Sequence, residues 1–226
     1  MHAFNLDGYY SLICCFLEAG YKFTKFEFPP GKYGQVILRH DIDFCIDYAL
    51  PIAKIEHDLG VTSTFFVLMD NELYNPFTEA NKQTLQLIAQ MGHSICLHVD
   101  EKQVKSDDDF YNSLSAFKSV LPFSDNRIIS RHRPNLKSKL SWCSSEVTDA
   151  YQPEFFSNIE YASDSRGEWK YGYPTDRLAF ANKESFQLLT HPIWWVNEGT
   201  NGEKISKMLK ERDSAGAKSI SYLNII

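Results

Sequence analysis

The chain has 226 residues, a formal net charge of −6, 43% hydrophobic and 23% charged residues. This balance is typical of one globular domain, residues 1–226, whose core needs no metal or disulfide to fold, so any metal is predicted to be catalytic. The acidic charge argues against nucleic acid as a partner, because phosphates require a basic surface. No stretch of about twenty apolar residues occurs, so no membrane span is predicted.

The N-terminal region predicts an amphipathic helix rather than an export signal. The apolar residues 12–17 are few, acidic Asp7 and Glu18 flank them, and no basic segment precedes them. The five cysteines are an odd set without CxxC spacing, which is typical of reduced thiols. We therefore expect a cytoplasmic protein.

Further along the chain, short strand-like runs alternate with longer helical runs. In order, the pattern predicts a strand at 36–38, a helix at 47–59, a strand at 62–68, a helix at 78–91, a strand at 94–98, a helix at 107–120, a strand at 127–130, a helix at 136–150, a strand at 186–189 and a helix at 202–214. Such alternation favours parallel strands joined by right-handed crossovers. About seven strands in one domain predict an α/β barrel or barrel-like sheet, with its site at the carboxyl ends of the strands.

Polar residues cluster where these predicted strands end. Four of the seven histidines directly follow or close an apolar run: His40, His98, His132 and His191. One such histidine is more often structural, but four at matching strand ends favour a shared site.

The first of these segments holds two carboxylates, Asp41 and Asp43. Residues two apart on an extended chain point the same way, and close carboxylates repel unless a cation lies between them or one is protonated. One could bind a metal while the other accepts a proton from water. Alternatively, Asp43 caps the helix that starts near Asp47.

The next two segments add imidazoles and guanidinium groups. His98 ends a strand, and imidazole with carboxylate suits Zn²⁺. His93 lies at the other end of that strand and is predicted to be structural. His132 is a further candidate ligand or a pocket residue. Arg131 or Arg133 could hold a carboxylate by a two-pronged contact, unless both are ordinary surface arginines.

The last two segments offer substrate contacts and an acid. Asp164 could orient one of those arginines or bind a sugar hydroxyl. Trp169 offers a flat face for a sugar ring or belongs to the core, and Tyr161 and Trp194 are further stacking candidates. His191, which follows a strand, could protonate a leaving amine.

These five segments, in this order between about residues 36 and 195, resemble the motifs of the polysaccharide deacetylase (NodB-homology) family. They are most similar to intracellular members associated with surface-polysaccharide synthesis, whose first motif is His-Asp-x-Asp. The resemblance implies a distorted (β/α) barrel, a divalent metal that is most often zinc, and hydrolysis of N-acetyl or other N-acyl groups on sugars.

The resemblance also implies roles for individual residues. Asp41 matches the family's base, and Asp43 matches a metal ligand, although Ile42 separates two aspartates that are usually adjacent. His98 matches the first histidine of the metal-binding motif. Lys102 stands where the second histidine belongs. Its predicted replacement is His132, with Asp100 and His40 as weaker candidates.

In the later motifs, Arg131 or Arg133 matches the arginine that positions the base. Asp164 and Trp169 match the fourth motif, Leu189 lines the acyl pocket, and His191 is the general acid.

The predicted substrate is an N-acyl sugar linked to a nucleotide, a lipid or an oligosaccharide. Two alternatives stay open on the same fold: a deformylase or other amidase, and a catalytically impaired sugar-binding pseudoenzyme, which Lys102 motivates. A third is a metal-free α/β domain with chance motif matches.

Overall fold

The computed structural model describes residues 3–135 and 147–223. Its helices are α1 (Leu6–Glu18), α2 (Ala49–Asp58), α3 (Glu79–Gln90), α4 (Asp107–Val120), α5 (Pro153–Phe156), α6 (Leu178–Ala181) and α7 (Asn201–Leu223). Its strands are β1 (Lys22–Thr24), β2 (Gln35–Ile42), β3 (Thr64–Leu68), β4 (Ser94–Asp100), β5 (Ile128–His132), β6 (Thr148–Asp149), β7 (Glu160–Ser163) and β8 (Phe186–Thr190). Short 3-10 turns cover Ser165–Gly167, Pro174–Asp176 and Pro192–Trp194.

Polar side chains fix where several helices begin. Asn5, Thr78 and Ser106 each accept a hydrogen bond from the backbone amide three residues on, which satisfies an otherwise unpaired donor. The three aspartates at 107–109 form the first turn of α4, where carboxylates are favoured by the positive end of the helix dipole.

The strands form one parallel sheet that curls towards a barrel. Its hydrogen-bonded order is β6-β5-β4-β3-β2-β8-β7, with β1 paired to β2 outside this path. Four strands separate β8 from β6 in that order, yet the Gln187 side chain on β8 donates to the Ala150 carbonyl just beyond β6 at 2.8 Å. Such a contact requires the sheet to bend round on itself, which confirms the predicted α/β barrel-like fold.

The two faces of the sheet bury different cores. The outer face packs on the helices through the larger apolar cluster, which includes Phe16, Ile52 and Phe186. The inner face holds a small cluster of Phe26, Ile37, Phe66, Cys96, Ile128, Ala150 and Phe155. Because side chains alternate along a strand, Ile37, Arg39 and Asp41 follow one another up the inside of β2. The interior is therefore apolar at its base and polar at the carboxyl ends of the strands.

The structure departs from the predicted elements in three respects. Residues 148–149 are a strand, where a helix over 136–150 was predicted, and the part of that segment at 136–146 lies outside the described residues. Strand β2 continues through Ile42, so Asp41 lies within the strand rather than after it. Strands β1, β6 and β7, of two to four residues, are too short for periodicity to reveal.

Across the described residues, none of the helices combines the length and the apolar character that crossing a membrane requires.

Candidate active site

A cavity of about 1220 Å³ opens at the carboxyl ends of the strands. The lining includes most of the predicted site residues: Asp41, Asp43, His98, Asp100, Arg131, His132, Arg133, Leu189, His191 and Trp194. These residues come from β2, β4, β5 and β8 and the turns after them. The predicted gathering of polar residues at the strand ends is thus present in the fold.

Asp43 lies at the centre of this cavity's polar wall. Its carboxylate oxygens stand 3.4 Å from His98 Nε2, 3.8 Å from His132 Nε2 and 3.8 Å from His191 Nε2. Burial by itself raises the pKa of the Asp43 carboxyl, but the His98 imidazole and the other two rings outweigh it and lower that pKa well below its usual range. One carboxylate therefore faces three imidazoles that the sequence separates widely.

Asp41 and Asp43 point to the same side, as their spacing predicts. His98 Nε2 lies 3.5 Å from Asp41 Oδ2 and 3.4 Å from Asp43 Oδ1, so one imidazole borders both carboxylates. The alternative role of Asp43 as a helix cap is wrong, because α2 begins at Ala49 and its N-cap residue is Tyr48.

The His98 ring is oriented by the neighbouring strand. Its Nδ1 atom lies 3.0 Å from the Ser130 carbonyl oxygen, which can only accept, so Nδ1 carries the proton. Burial lowers the pKa of His98, whereas the Asp41 and Asp43 carboxylates raise it, and the net direction is upward. When the ring is neutral, the lone pair on Nε2 points towards the two carboxylates. A histidine that binds a metal beside those carboxylates needs this orientation.

Arg39 holds Asp41 inside the barrel. Its Nε donates to Asp41 Oδ1 at 3.1 Å and its Nη2 to Oδ2 at 2.6 Å, and both side chains are buried. Nη2 also donates to Ser130 Oγ at 2.6 Å, and Nη1 donates to Gln187 Oε1 at 3.0 Å. Burial would raise the pKa of the Asp41 carboxyl, but the Arg39 guanidinium overrides it and lowers that pKa.

This contact corrects the predicted role of the two later arginines. Arg131 pairs instead with Glu101 at 2.9 Å and with Asp149 at 2.8 Å. Arg133 is exposed at the rim of the cavity, with a backbone φ of 49°. No contact joins either arginine to Asp41, whose two carboxylate oxygens both accept from Arg39.

Asp164 holds His191 rather than an arginine, a second correction. Its carboxylate accepts from the His191 backbone N–H at 3.0 Å, lies 2.6 Å from Nδ1 of the ring, and accepts from Trp195 Nε1 at 2.7 Å. Burial lowers the pKa of His191, yet the Asp164 charge and hydrogen bond more than compensate and raise it to about 9. Near neutral pH the ring is therefore a proton donor whose Nε2 faces the cavity.

The predicted substrate-binding residues divide into two pairs. Leu189 and Trp194 line the cavity, beside Phe44, whose ring centroid is 5.8 Å from that of Trp194. Trp169 instead packs on Phe4, Tyr173 and Trp195. Its predicted role in stacking on a sugar ring is therefore wrong, and the alternative prediction of a core residue holds. Tyr161 likewise packs against the rings of Phe156 and Tyr151 and does not line the cavity.

The donors around Asp43 suit a divalent cation in kind and in pairwise spacing. Ligands of a tetrahedral zinc ion lie about 3.3 Å apart, given bond lengths near 2 Å, and Asp43 lies 3.4 Å from His98 and 3.8 Å from His132. Asp43 Oδ1 is buried and has no hydrogen-bond partner within the described part of the chain. Among those same residues no three His, Cys, Asp or Glu side chains are already gathered to hold an ion, so binding requires these side chains to close in.

The weaker candidate ligands have different surroundings. His40 faces the outer side of the sheet, where its ring contacts Thr190 and Glu56, so it is excluded as a ligand. Asp100 lines the cavity, with Oδ2 3.8 Å from His132 Nδ1. Lys102, at the position of the missing histidine, is exposed and borders a smaller adjoining cavity together with His132.

Three site residues had no role predicted from the sequence: Arg39, Ser130 and Gln187. A signal for Arg39 existed, since a lone arginine within an apolar strand, two residues from an aspartate, is typical of a buried ion pair. Ser130 and Gln187 carried no such signal, because their contacts depend on the curl of the sheet.

No family model matches the sequence, and no curated protein matches it. Among solved structures, the chain is similar to wild-type BA3943, a CE4 family pseudoenzyme from Bacillus anthracis, with 13% identity and a TM-score of 0.44 over 84% of this chain and 63% of that chain. It is also similar to a BA3943 mutant, a CE4 family pseudoenzyme with restored enzymatic activity, with 15% identity and a TM-score of 0.42 over 84% and 65% of the two chains. The chain thus spans less than two thirds of the length of these structures.

Proposed function

We propose that the chain is a metal-dependent hydrolase that removes an N-acetyl or other N-acyl group from a sugar. The observation that carries the proposal is the arrangement around Asp43, whose carboxylate stands between the Nε2 atoms of His98, His132 and His191. The His98 imidazole also borders a clamped carboxylate, Asp41, and His191 is a protonated imidazole. Amide hydrolysis needs such a pair, because a base must take a proton from water and an acid must give one to the amine.

Asp41 is the proposed base. Its Arg39 clamp keeps the carboxyl ionised at neutral pH, and the same guanidinium fixes its orientation. A carboxylate of low pKa is an intrinsically weak base, so this role requires a water that is itself acidified. A divalent cation at Asp43 and His98 would supply that acidification when bound and would polarise the amide carbonyl.

His191 is the proposed acid. Asp164 accepts a hydrogen bond from the Nδ1–H group of His191, so the Nε2–H group of the same ring points into the cavity. With a pKa of about 9, the ring is protonated at pH 7 and can donate to the nitrogen as the C–N bond breaks. Trp195 holds the second Asp164 oxygen, so the carboxylate cannot swing away from the ring.

The apolar part of the cavity suits a short acyl group. Leu189 is buried next to His191, and Trp194 with Phe44 forms an adjoining aromatic wall. The whole cavity has a volume of about 1220 Å³, whereas pockets for drug-sized ligands have roughly 300–1,000 Å³. The space beyond the apolar part is therefore sufficient for more than one sugar ring. A nucleotide-, lipid- or oligosaccharide-linked N-acyl sugar is the proposed substrate.

The test is direct hydrolysis with a matched pair of variants. Purified protein supplied with zinc should release acetate from N-acetyl sugars, while Asp41→Asn should lose activity by orders of magnitude and stay folded. Asp125→Asn removes a carboxylate that also pairs with an arginine but lines a different, smaller cavity, and it should retain full activity. Equal turnover by Asp41→Asn and the unaltered protein would eliminate Asp41 as the base. Faster release of formate than acetate would instead identify a deformylase.

A sugar-binding pseudoenzyme is the second candidate. Lys102 in place of a ligand histidine and the lack of a closed three-donor set among the described residues favour it. The same assay separates the two, because a binder would show sugar-dependent stabilisation without releasing any acid, even with zinc in excess. The pairing of Asp164 with His191 favours the enzyme, since a binding protein has no need of a held proton donor.

A further inference from the structure

Behind the sheet, on the face opposite to the cavity, a second polar cluster is buried. Its centre is Glu56 of α2, which is fully buried. Tyr9 of α1 donates to Glu56 Oε1, and His40 Nε2 lies 2.7 Å from the same oxygen. Ser63, just before β3, donates to Oε2 at 2.6 Å. One carboxylate therefore connects α1, α2, β2 and the start of β3.

The cluster extends to the strand that carries the proposed acid. His40 and Thr190 are register partners on β2 and β8, and His40 Nδ1 lies 2.7 Å from Thr190 Oγ1. The residues that follow them, Asp41 and His191, turn to the cavity side because side chains alternate along a strand. The Glu56–His40–Thr190 chain thus joins the two strands directly behind the proposed base and acid.

This polar arrangement costs folding free energy that a purely structural role would not require. A buried carboxylate with imidazoles and hydroxyls loses its hydration, and apolar side chains of similar volume would fill the same space without that loss. Hydrogen bonds, unlike apolar contacts, are directional and so restrict the relative position of the strands more narrowly.

We propose that Glu56, His40 and Thr190 are positioning residues, which set the separation of Asp41 from His191 by joining β2 to β8 behind the cavity. The inference rests on the proposed function, because it gives these residues a task in the same reaction. They touch no substrate and act through the strands. Asp41 must meet the water on one side of the amide while His191 meets the nitrogen on the other, so an error in strand position lowers the rate of the bond-breaking step.

Thr190→Val is the main test, because valine keeps the shape of threonine and removes the hydroxyl that meets His40. It should lower kcat about 10–100-fold with KM nearly unchanged, since a displacement of about 1 Å can cost 10²-fold. Thr190→Ser, which restores the hydroxyl, should recover most of that loss.

Ser63→Ala is the matched control. It removes a buried hydroxyl bonded to the other oxygen of Glu56, at the amino end of β3, remote from Asp41 and His191. It should lower the melting temperature as much as Thr190→Val does, but leave kcat within about threefold. A wild-type kcat in Thr190→Val, or an equal fall in Ser63→Ala, would overturn the inference.

Crystal structures of the same variants test the inference without any activity. Thr190→Val should shift His191 relative to Asp41, whereas Ser63→Ala should leave both in place. Unmoved side chains in Thr190→Val would overturn the positioning role. If the unaltered protein hydrolyses no N-acyl sugar while Thr190→Val still shows the shift, the proposed function fails and the structural linkage stands. If Thr190→Val does not fold, His40→Asn takes its place and should show the same loss of kcat. A wild-type kcat in His40→Asn would overturn the inference.

Discussion

Arg39 and Asp41, two residues apart on one strand, form a two-pronged ion pair inside the barrel, with Nε–Oδ1 and Nη2–Oδ2 distances of 3.1 and 2.6 Å. The surface carries a nearly identical pair, in which Arg127 contacts Asp125 through the same atoms at 3.1 and 2.8 Å. The arginine side chain is 0% exposed in the first pair and 70% exposed in the second. The same local geometry therefore occurs once with a buried arginine and once with an arginine exposed to solvent.

We expect Arg39→Lys to lower kcat at least about 100-fold, because lysine keeps the charge but cannot hold both oxygens of Asp41. Arg127→Lys repeats the substitution in the exposed pair and should change neither kcat nor the melting temperature, since exposed ion pairs contribute little to stability. Steady-state kinetics and thermal unfolding of both variants provide the measurement. Unchanged kcat in Arg39→Lys would show that the clamp does not orient the base.

Asp164→Asn should lower kcat by about two to four orders of magnitude. The amide group offers an N–H where His191 Nδ1–H needs an acceptor, so the ring turns or adopts the wrong tautomer. Asp176→Asn alters an acidic residue that does not line the cavity, so it serves as the control and should leave kcat unchanged. A variant at 164 with normal kcat would mean that His191 is not the acid.

The stability of the metal-free protein should fall as the pH rises through about 9. The pKa of His191 is about 9 in the folded protein and about 6.5 in the unfolded chain, so its protonated form stabilises the fold below pH 6.5 and this contribution disappears above pH 9. The contribution is on the order of 3 kcal/mol. Urea unfolding in a chelator at pH 6.5 and 9.5 measures it, and Asp164→Asn should flatten the difference. An equal difference in both proteins would assign the pH effect to other groups.

Metal analysis should find one tightly held zinc per chain, and it should identify the third ligand. Asp43→Asn, His98→Gln and His132→Ala should each lower zinc content, because each removes a donor that faces the same gap. Asp100→Asn should retain zinc, and His57→Ala, which alters an exposed histidine outside the recorded lining, should behave like the unaltered protein. Zinc loss in Asp100→Asn with retention in His132→Ala would reverse the assignment of the third ligand.

The amino-acid sequence by itself determined the alternation of strands and helices, and with it the parallel sheet and the edge where a site forms. Strand and helix periodicities are local, so Asp41, Asp43 and His98 could be placed at that edge from a few neighbouring residues. The structural role of His93 was predicted in the same way, and the ring indeed bonds to the Ala53 carbonyl at 3.1 Å behind the sheet.

Only the tertiary structure decided which charged groups meet. Arg39 rather than Arg131 holds Asp41, because both side chains lie on the inner face of β2, where the curled sheet also brings Ser130 and Gln187 to the same guanidinium. Asp164 holds His191 because β7 pairs with β8, although the two residues lie 27 positions apart in the chain. The same alternation that turns Asp41 inward turns His40 outward to Glu56, and its partner there lies on a helix 16 residues further along. Such pairings depend on how far the sheet bends and where a helix crosses it, and no local pattern in the chain encodes either.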